Sequence, residues 1–184
     1  MNKNSDIRVS FDKMLADELN NLSEIKKLIK FLGSENTEVL FTLLSREIEI
    51  IQQVCYLILS FLYPKISFAC VDPMLIHKDE NFESNLEEIL ILSMKKSEIK
   101  KIKECLLFVP KINPDSSVEL KGAVLKILEY SSKAYIPSLK SAAIYTLGLL
   151  GFTETKNLVE MQSEDNDPLL AEFKPITLEL FQRK

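Results

Sequence analysis

The chain has no tryptophan, only four glycines, a single histidine and three cysteines. So few glycines leave neither the turn residues of a many-stranded sheet nor a glycine-rich loop to cradle phosphate. Cys55, Cys70 and Cys105 are odd in number, and their spacing matches neither a zinc pattern nor a disulfide framework. They read as reduced, buried apolar side chains. Long apolar runs are missing too. The longest, residues 54–63, is broken only by Ser60; it falls well short of the roughly 20 residues that cross a bilayer and reads as a buried helix. The opening Met1-Asn2-Lys3-Asn4-Ser5-Asp6 is polar, without the apolar stretch of a secretory signal. The expected location is the cytoplasm, including the inner face of the membrane.

What is present is leucine, isoleucine, lysine and glutamate in quantity, with 46% hydrophobic and 27% charged residues. That is the composition of a folded protein, and its helix-favouring residues make the class all-α. At 184 residues the chain can bury a core without metals or disulfides. A formal net charge of -4 repels polyanions, which argues against nonspecific nucleic-acid binding.

Ile7, Phe11, Leu15, Leu19, Leu22, Ile25, Ile29 and Leu32 recur at steps of three and four. They predict one long helix, or two with a break at Asn20-Asn21. Gly33 is suited to a left-handed C-cap, and Ser34 or Asn36 to the next N-cap. A second helix follows over 37–62, with Leu40, Leu44, Ile48, Ile51, Cys55, Ile58 and Leu62 on one face. Its second half is apolar nearly all round, which predicts neighbours on more than one side. Pro64 ends it. Beyond lie a short helix over 66–74, a polar loop at 77–81, a helix over 82–94 and another that Ser97 could cap. Pro110, Pro114 and Asp115 mark a second loop.

The C-terminal third carries an internal repeat. Pro137 and Pro168 lie 31 residues apart. At the same offset Leu139 matches Leu170, Ala142 matches Phe173, Leu147 matches Leu178, and Leu150 matches Phe181. Partner helices are expected over 118–131 and 154–161. Units of this length, each a helix pair, stack because none buries its core alone. The run Pro-Ser-Leu-Lys-Ser-Ala-Ala-Ile-Tyr-Thr-Leu-Gly-Leu-Leu-Gly (137–151), followed by Asp167-Pro168-Leu169-Leu170, resembles HEAT repeats, whose second helix opens Asp-Pro-x-Val-Arg and continues Ala-Leu-x-Ala-Leu-Gly. Lys140 stands where that arginine is usual. The second unit departs from the pattern with Ala171 at the basic position and Pro175 inside the helix, as a terminal cap would. Upstream, Leu44-Ser45-Arg46-Glu47-Ile48-Glu49, residues 57–64 and residues 84–90 resemble the HEAT-like soluble region of bacterial membrane proteins similar to nucleotide translocases. With no transporter segment here, the resemblance implies a helical module associated with such a protein, not transport.

Candidate chemistry is thin. His77 lies near Cys70, Asp72 and Asp79, which suggests a Cys-His pair or a metal site, but a loop with one histidine and scattered carboxylates is ordinary surface. No cofactor or metal is expected. Lys95, Lys96, Lys100, Lys101 and Lys103 form a basic face. It reads as solvated, with Glu98 and Glu104 interleaved, or as a contact for an anionic membrane or acidic partner. On a helical wheel Leu139, Ala143, Leu147 and Leu150 point to the core, leaving Ser141, Ile144, Tyr145 and Gly148 outward. The next unit offers Glu172, Pro175, Ile176 and Glu179 in the matching places. Ser141, Ile144, Tyr145, Glu172, Ile176 and Glu179 are thus the candidate partner-binding groove, with cover by a neighbouring helix as the alternative.

These readings converge on one domain, 1–184: a long hairpin over 1–64, irregular middle pairs over 65–114, and two regular units over 115–184. The expected architecture is a HEAT-like α-solenoid. The expected function is a non-enzymatic scaffold or adaptor for another protein, working as an accessory module beside a membrane transporter. The alternatives are a nucleic-acid-binding helical-repeat protein and a cofactor lyase or chaperone subunit.

Overall fold

A computed structural model describes residues 3–33, 35–62, 90–91, 96–112, 119–163, 167 and 169–183. Among them the secondary structure is entirely helical. The α-helices are α1 (Lys3–Leu28), α2 (Glu38–Leu62), α3 (Lys96–Leu106), α4 (Leu120–Tyr130), α5 (Leu139–Leu150), α6 (Lys156–Glu160) and α7 (Leu170–Gln182). The expected helices over 66–74 and most of 82–94, the loop at 77–81 and the end of the loop after Pro110 fall outside the described residues.

Helix α1 runs through Asn20-Asn21 without a break and tightens into a 3₁₀ turn at Ile29–Phe31. The Asn21 side chain is turned along the helix surface, its Nδ2 3.4 Å from Glu18 Oε2. In the connection to α2 the left-handed residue is Asn36, with φ 76°, and not Gly33, whose φ of 153° lies well outside the left-handed helical basin. Gly33 N–H donates to Thr37 Oγ1 at 3.0 Å, while the Thr37 carbonyl accepts the first helical bond from Phe41 at 2.8 Å. Thr37, fully buried, therefore occupies the cap position that Ser34 or Asn36 was expected to fill.

The chain groups into two compact units, each drawn from two segments. The first comprises Met1–Glu24 and Ile48–Val109. Its buried side chains include Leu15, Leu19 and Leu22 of α1, Ile51, Cys55 and Leu59 of α2, and Ile99, Ile102 and Leu106 of α3. The C-terminal carbonyls of α3, which no helical N–H can reach, are met by α2. Gln52 Nε2 donates to the carbonyls of Cys105 (3.1 Å) and Phe108 (2.9 Å), and the Tyr56 hydroxyl to that of Leu106 (3.3 Å). Ser97 is the second residue of α3.

The second unit comprises Ile25–Glu47 and Pro110–Lys184. Here α5 is the central element, packed on both α4 and α7. Helices α5 and α7 open at Leu139 and Leu170, 31 residues apart as the repeat requires, and both residues are fully buried. Gly151, with φ 71°, closes α5. Its N–H donates to Gly148 O at 3.0 Å and that of Phe152 to Leu147 O at 3.1 Å, a Schellman pattern that only a left-handed residue permits cheaply. Pro175 is accommodated inside a continuous α7.

Two buried carboxylates tie this unit together. Glu47, with no exposed surface, accepts the Tyr130 hydroxyl at 3.0 Å and the backbone N–H groups of Tyr135 (2.8 Å) and Ile136 (2.9 Å). Asp167 accepts the N–H and hydroxyl of Ser141 at 2.8 and 2.7 Å, and the Leu169 N–H at 3.0 Å. One side chain thus serves the first turn of α5 and the approach to α7. Two polar groups buried this deeply remain only because they are hydrogen-bonded.

Candidate functional site

The groove expected on α5 divides. Ser141 is 1% exposed and held by Asp167, and Ile144 is fully buried, so neither faces outward. The wheel had placed α5 on a single core. The helix has two partners, because both α4 and α7 pack on it. Gly148 shows how close the second approach is: a Cβ there would stand 2.9 Å from Thr177 Cγ2 and 3.2 Å from Thr177 Cα. Tyr145 is half-buried, its ring edge-on to Phe173 with centroids 5.1 Å apart. The repeat step carries Ser141, Ile144, Tyr145 and Gly148 onto Glu172, Pro175, Ile176 and Glu179. On α5 that face meets α7; on α7 it is exposed, with Ile176 between the two glutamates and Glu179 paired to Arg183.

On the basic face, Lys100 is exposed and pairs with Glu104 at 3.9 Å, one turn along α3, and Lys103 is half-buried. Lys96 and Lys101 are helical positions whose side chains are not described, and Lys95 lies outside the described residues. His77, Cys70, Asp72 and Asp79 lie outside them as well. Among the described residues no three His, Cys, Asp or Glu side chains cluster as a metal site would require.

Cys55 and Cys105 are free and buried, and Cys55 is held as a thiol. Burial pushes Cys55 up to about 12 from an ordinary 9.0, and the nearby Glu18 and Cys105 add to the shift. Burial likewise raises Tyr56, with Cys55 contributing. A thiol kept protonated this firmly is a poor nucleophile at neutral pH. On the surface, Lys121 hydrogen-bonds Glu154 and holds that carboxyl below its usual value.

Two features were not foreseen. In the first unit Phe11 and Phe61 stack, with centroids 5.3 Å apart and planes 8° from parallel. Around them Ile7, Met14 and Leu57 are each about half exposed or more, and Phe61 is 66% exposed. The second half of α2 meets both α1 and α3, as its composition led one to expect, yet Leu57 and Phe61 stay exposed on one strip of it. The signal was present: Ile50, Val54, Leu57 and Phe61 form a second stripe at helical spacing beside the core stripe.

In the second unit a cleft of about 400 Å³ is lined by Leu28, Phe31, Glu119, Gly122, Ala123 and Lys126. Leu28 and Ala123 form a buried floor, whereas Glu119, Gly122 and Lys126 are exposed along α4. No sequence motif marks this cleft, since it joins residues about ninety positions apart. Among the described residues no helix is long and apolar enough to cross a membrane. No family model, curated protein or solved structure matches the chain.

Proposed function

We propose that this protein is a non-enzymatic interaction scaffold, a HEAT-like stack of helix pairs that offers its outer helical faces to another protein. The observation that carries the reading is the exposed apolar surface around the Phe11–Phe61 stack. Large apolar side chains standing together in water mark contact surfaces, whereas single ones need no explanation. Aromatic residues are also those enriched where protein interfaces form. The 31-residue step between the starts of α5 and α7, and the packing of α5 on both α4 and α7, support the stacked-pair architecture. The narrower form of the reading, an accessory module beside a membrane transporter, rests on the resemblance in residues 44–49, 57–64 and 84–90.

The test is capture of crosslinked partners from the native organism by tagged wild type and by Leu57→Ser/Phe61→Ser, read by mass spectrometry. Both side chains are largely exposed, so the variant should melt within a few degrees of wild type, as surface substitutions do. A partner retained by wild type and lost by the variant supports the scaffold reading. An identical set of proteins on both overturns it.

A further inference from the structure

The strip around the Phe11–Phe61 stack is open apolar surface of a definite shape. On α1, Ile7, Phe11 and Met14 follow one another at helical spacing, and on α2, Leu57 and Phe61 stand one turn apart. Ile7, Met14, Leu57 and Phe61, each about half exposed or more, leave about 500 Å² of side chain in water. That is in the upper range of the largest apolar patch a monomer carries, and more than half of the about 800 Å² that each partner buries in a standard interface.

The charges beside the strip alternate in sign along α1. Asp6, Arg8, Asp12 and Lys13 are all exposed. A helix laid antiparallel on its own copy reverses that order, so Asp6 comes opposite Lys13 and Arg8 opposite Asp12, in one register to within a residue. On a helical wheel Asp6 and Lys13 flank the apolar strip on one side, and Arg8 and Asp12 flank it on the other, as an antiparallel pair requires. In the same register Ile7 of one copy falls between Phe11 and Met14 of the other. The four charges sum to zero, so the strip is spared the repulsion that a net charge of -4 sets up between two copies, and it offers an anionic lipid surface no excess of bases.

Building on the scaffold reading of this strip as a contact surface, we propose that what covers it is a second copy of the chain. The two copies meet in an antiparallel two-fold contact of α1 on α1, with Leu57 and Phe61 completing its apolar centre. Such a contact is isologous and closes at two copies. The dimer then presents every remaining outer face twice.

The test is sedimentation equilibrium of the full chain over micromolar concentrations. Wild type should show a reversible monomer–dimer equilibrium, and Leu57→Ser/Phe61→Ser should sediment as a monomer. Arg8→Asp and Asp12→Arg each set like charges opposite one another and should weaken the dimer about tenfold, the scale expected of two exposed ion pairs. The two variants mixed should regain wild-type affinity. That recovery cannot arise within one helix, where Arg8 and Asp12 also stand one turn apart. The proposal is overturned if wild type is monomeric throughout, if the dimer survives Leu57→Ser/Phe61→Ser, or if the mixture is as weak as its parts. Capture from the native organism separates this result from the scaffold reading. Other proteins held by wild type and lost by Leu57→Ser/Phe61→Ser keep that reading standing when the chain is monomeric, and an identical set on both removes it even when the dimer forms.

Discussion

Glycine shows how the same residue type serves opposite ends within one unit. At Gly148 the absent Cβ lets α7 approach, and the Thr177 backbone in the way cannot swing aside as a side-chain tip could. Gly148→Ala gains helix propensity but overpacks, and the balance should be a loss of about 1 kcal/mol. Gly122→Ala, with open space above it, should gain about 0.5 to 1 kcal/mol. Denaturant midpoints of the two variants should move in opposite directions, and a shared direction would contradict the packing described. Cys55 makes a pH prediction. The unfolded chain releases the thiol proton near 9.0, and the folded chain holds it to about 12. Between those values the folded state binds more protons than the unfolded one. The contribution is therefore complete below pH 9 and is lost as pH rises toward 12. Denaturant midpoints measured from pH 8 to 11 should fall less steeply for Cys55→Ala than for wild type; equal slopes would remove Cys55 as a cause.

Within α5 the wheel and the structure part company for a definite reason. A wheel finds the face with the most apolar residues, and Leu139, Ala143 and Leu147 are indeed buried. It cannot see a second partner when that partner is met by serine, glycine and a tyrosine edge. Ser141 is buried through Asp167, Gly148 through its lack of a side chain, and Tyr145 half-way through Phe173. The consequence is measurable. Ile144→Ser places a hydroxyl in a fully buried site, and Asp167→Ala strips the acceptor from the first turn of α5. Each should cost about 2 to 4 kcal/mol in chemical denaturation. Asp167→Asn keeps an acceptor and should cost less. If Ile144→Ser unfolds at the wild-type midpoint, the face between α5 and α7 is not core.

At the scale of the molecule, the helix-rich composition left few options for class, and among the described residues α2 and α4 lie within a residue or two of where the periodicity put them. The first helix resolves to one segment, not two, because Asn20 and Asn21 stand among Leu19, Leu22 and Ile25, whose burial carries the helix across them. The chain's grouping into compact units was less legible: each takes one stretch from the N-terminal third and one from further on. The exposed stack of Phe11 on Phe61 was equally hidden, since it joins residues fifty positions apart.

Local periodicity by itself determined the described helices, the 31-residue spacing of Leu139 and Leu170 and most of the principal core stripe, because these depend on spacing along one element and on the burial of apolar surface. Only the tertiary structure decided which further faces are covered. Cover depends on what a distant segment brings: Asp167 to Ser141, Glu47 to Tyr130, Thr177 to Gly148. Those contacts run through polar groups and missing side chains, which leave almost no trace in a pattern of hydrophobicity.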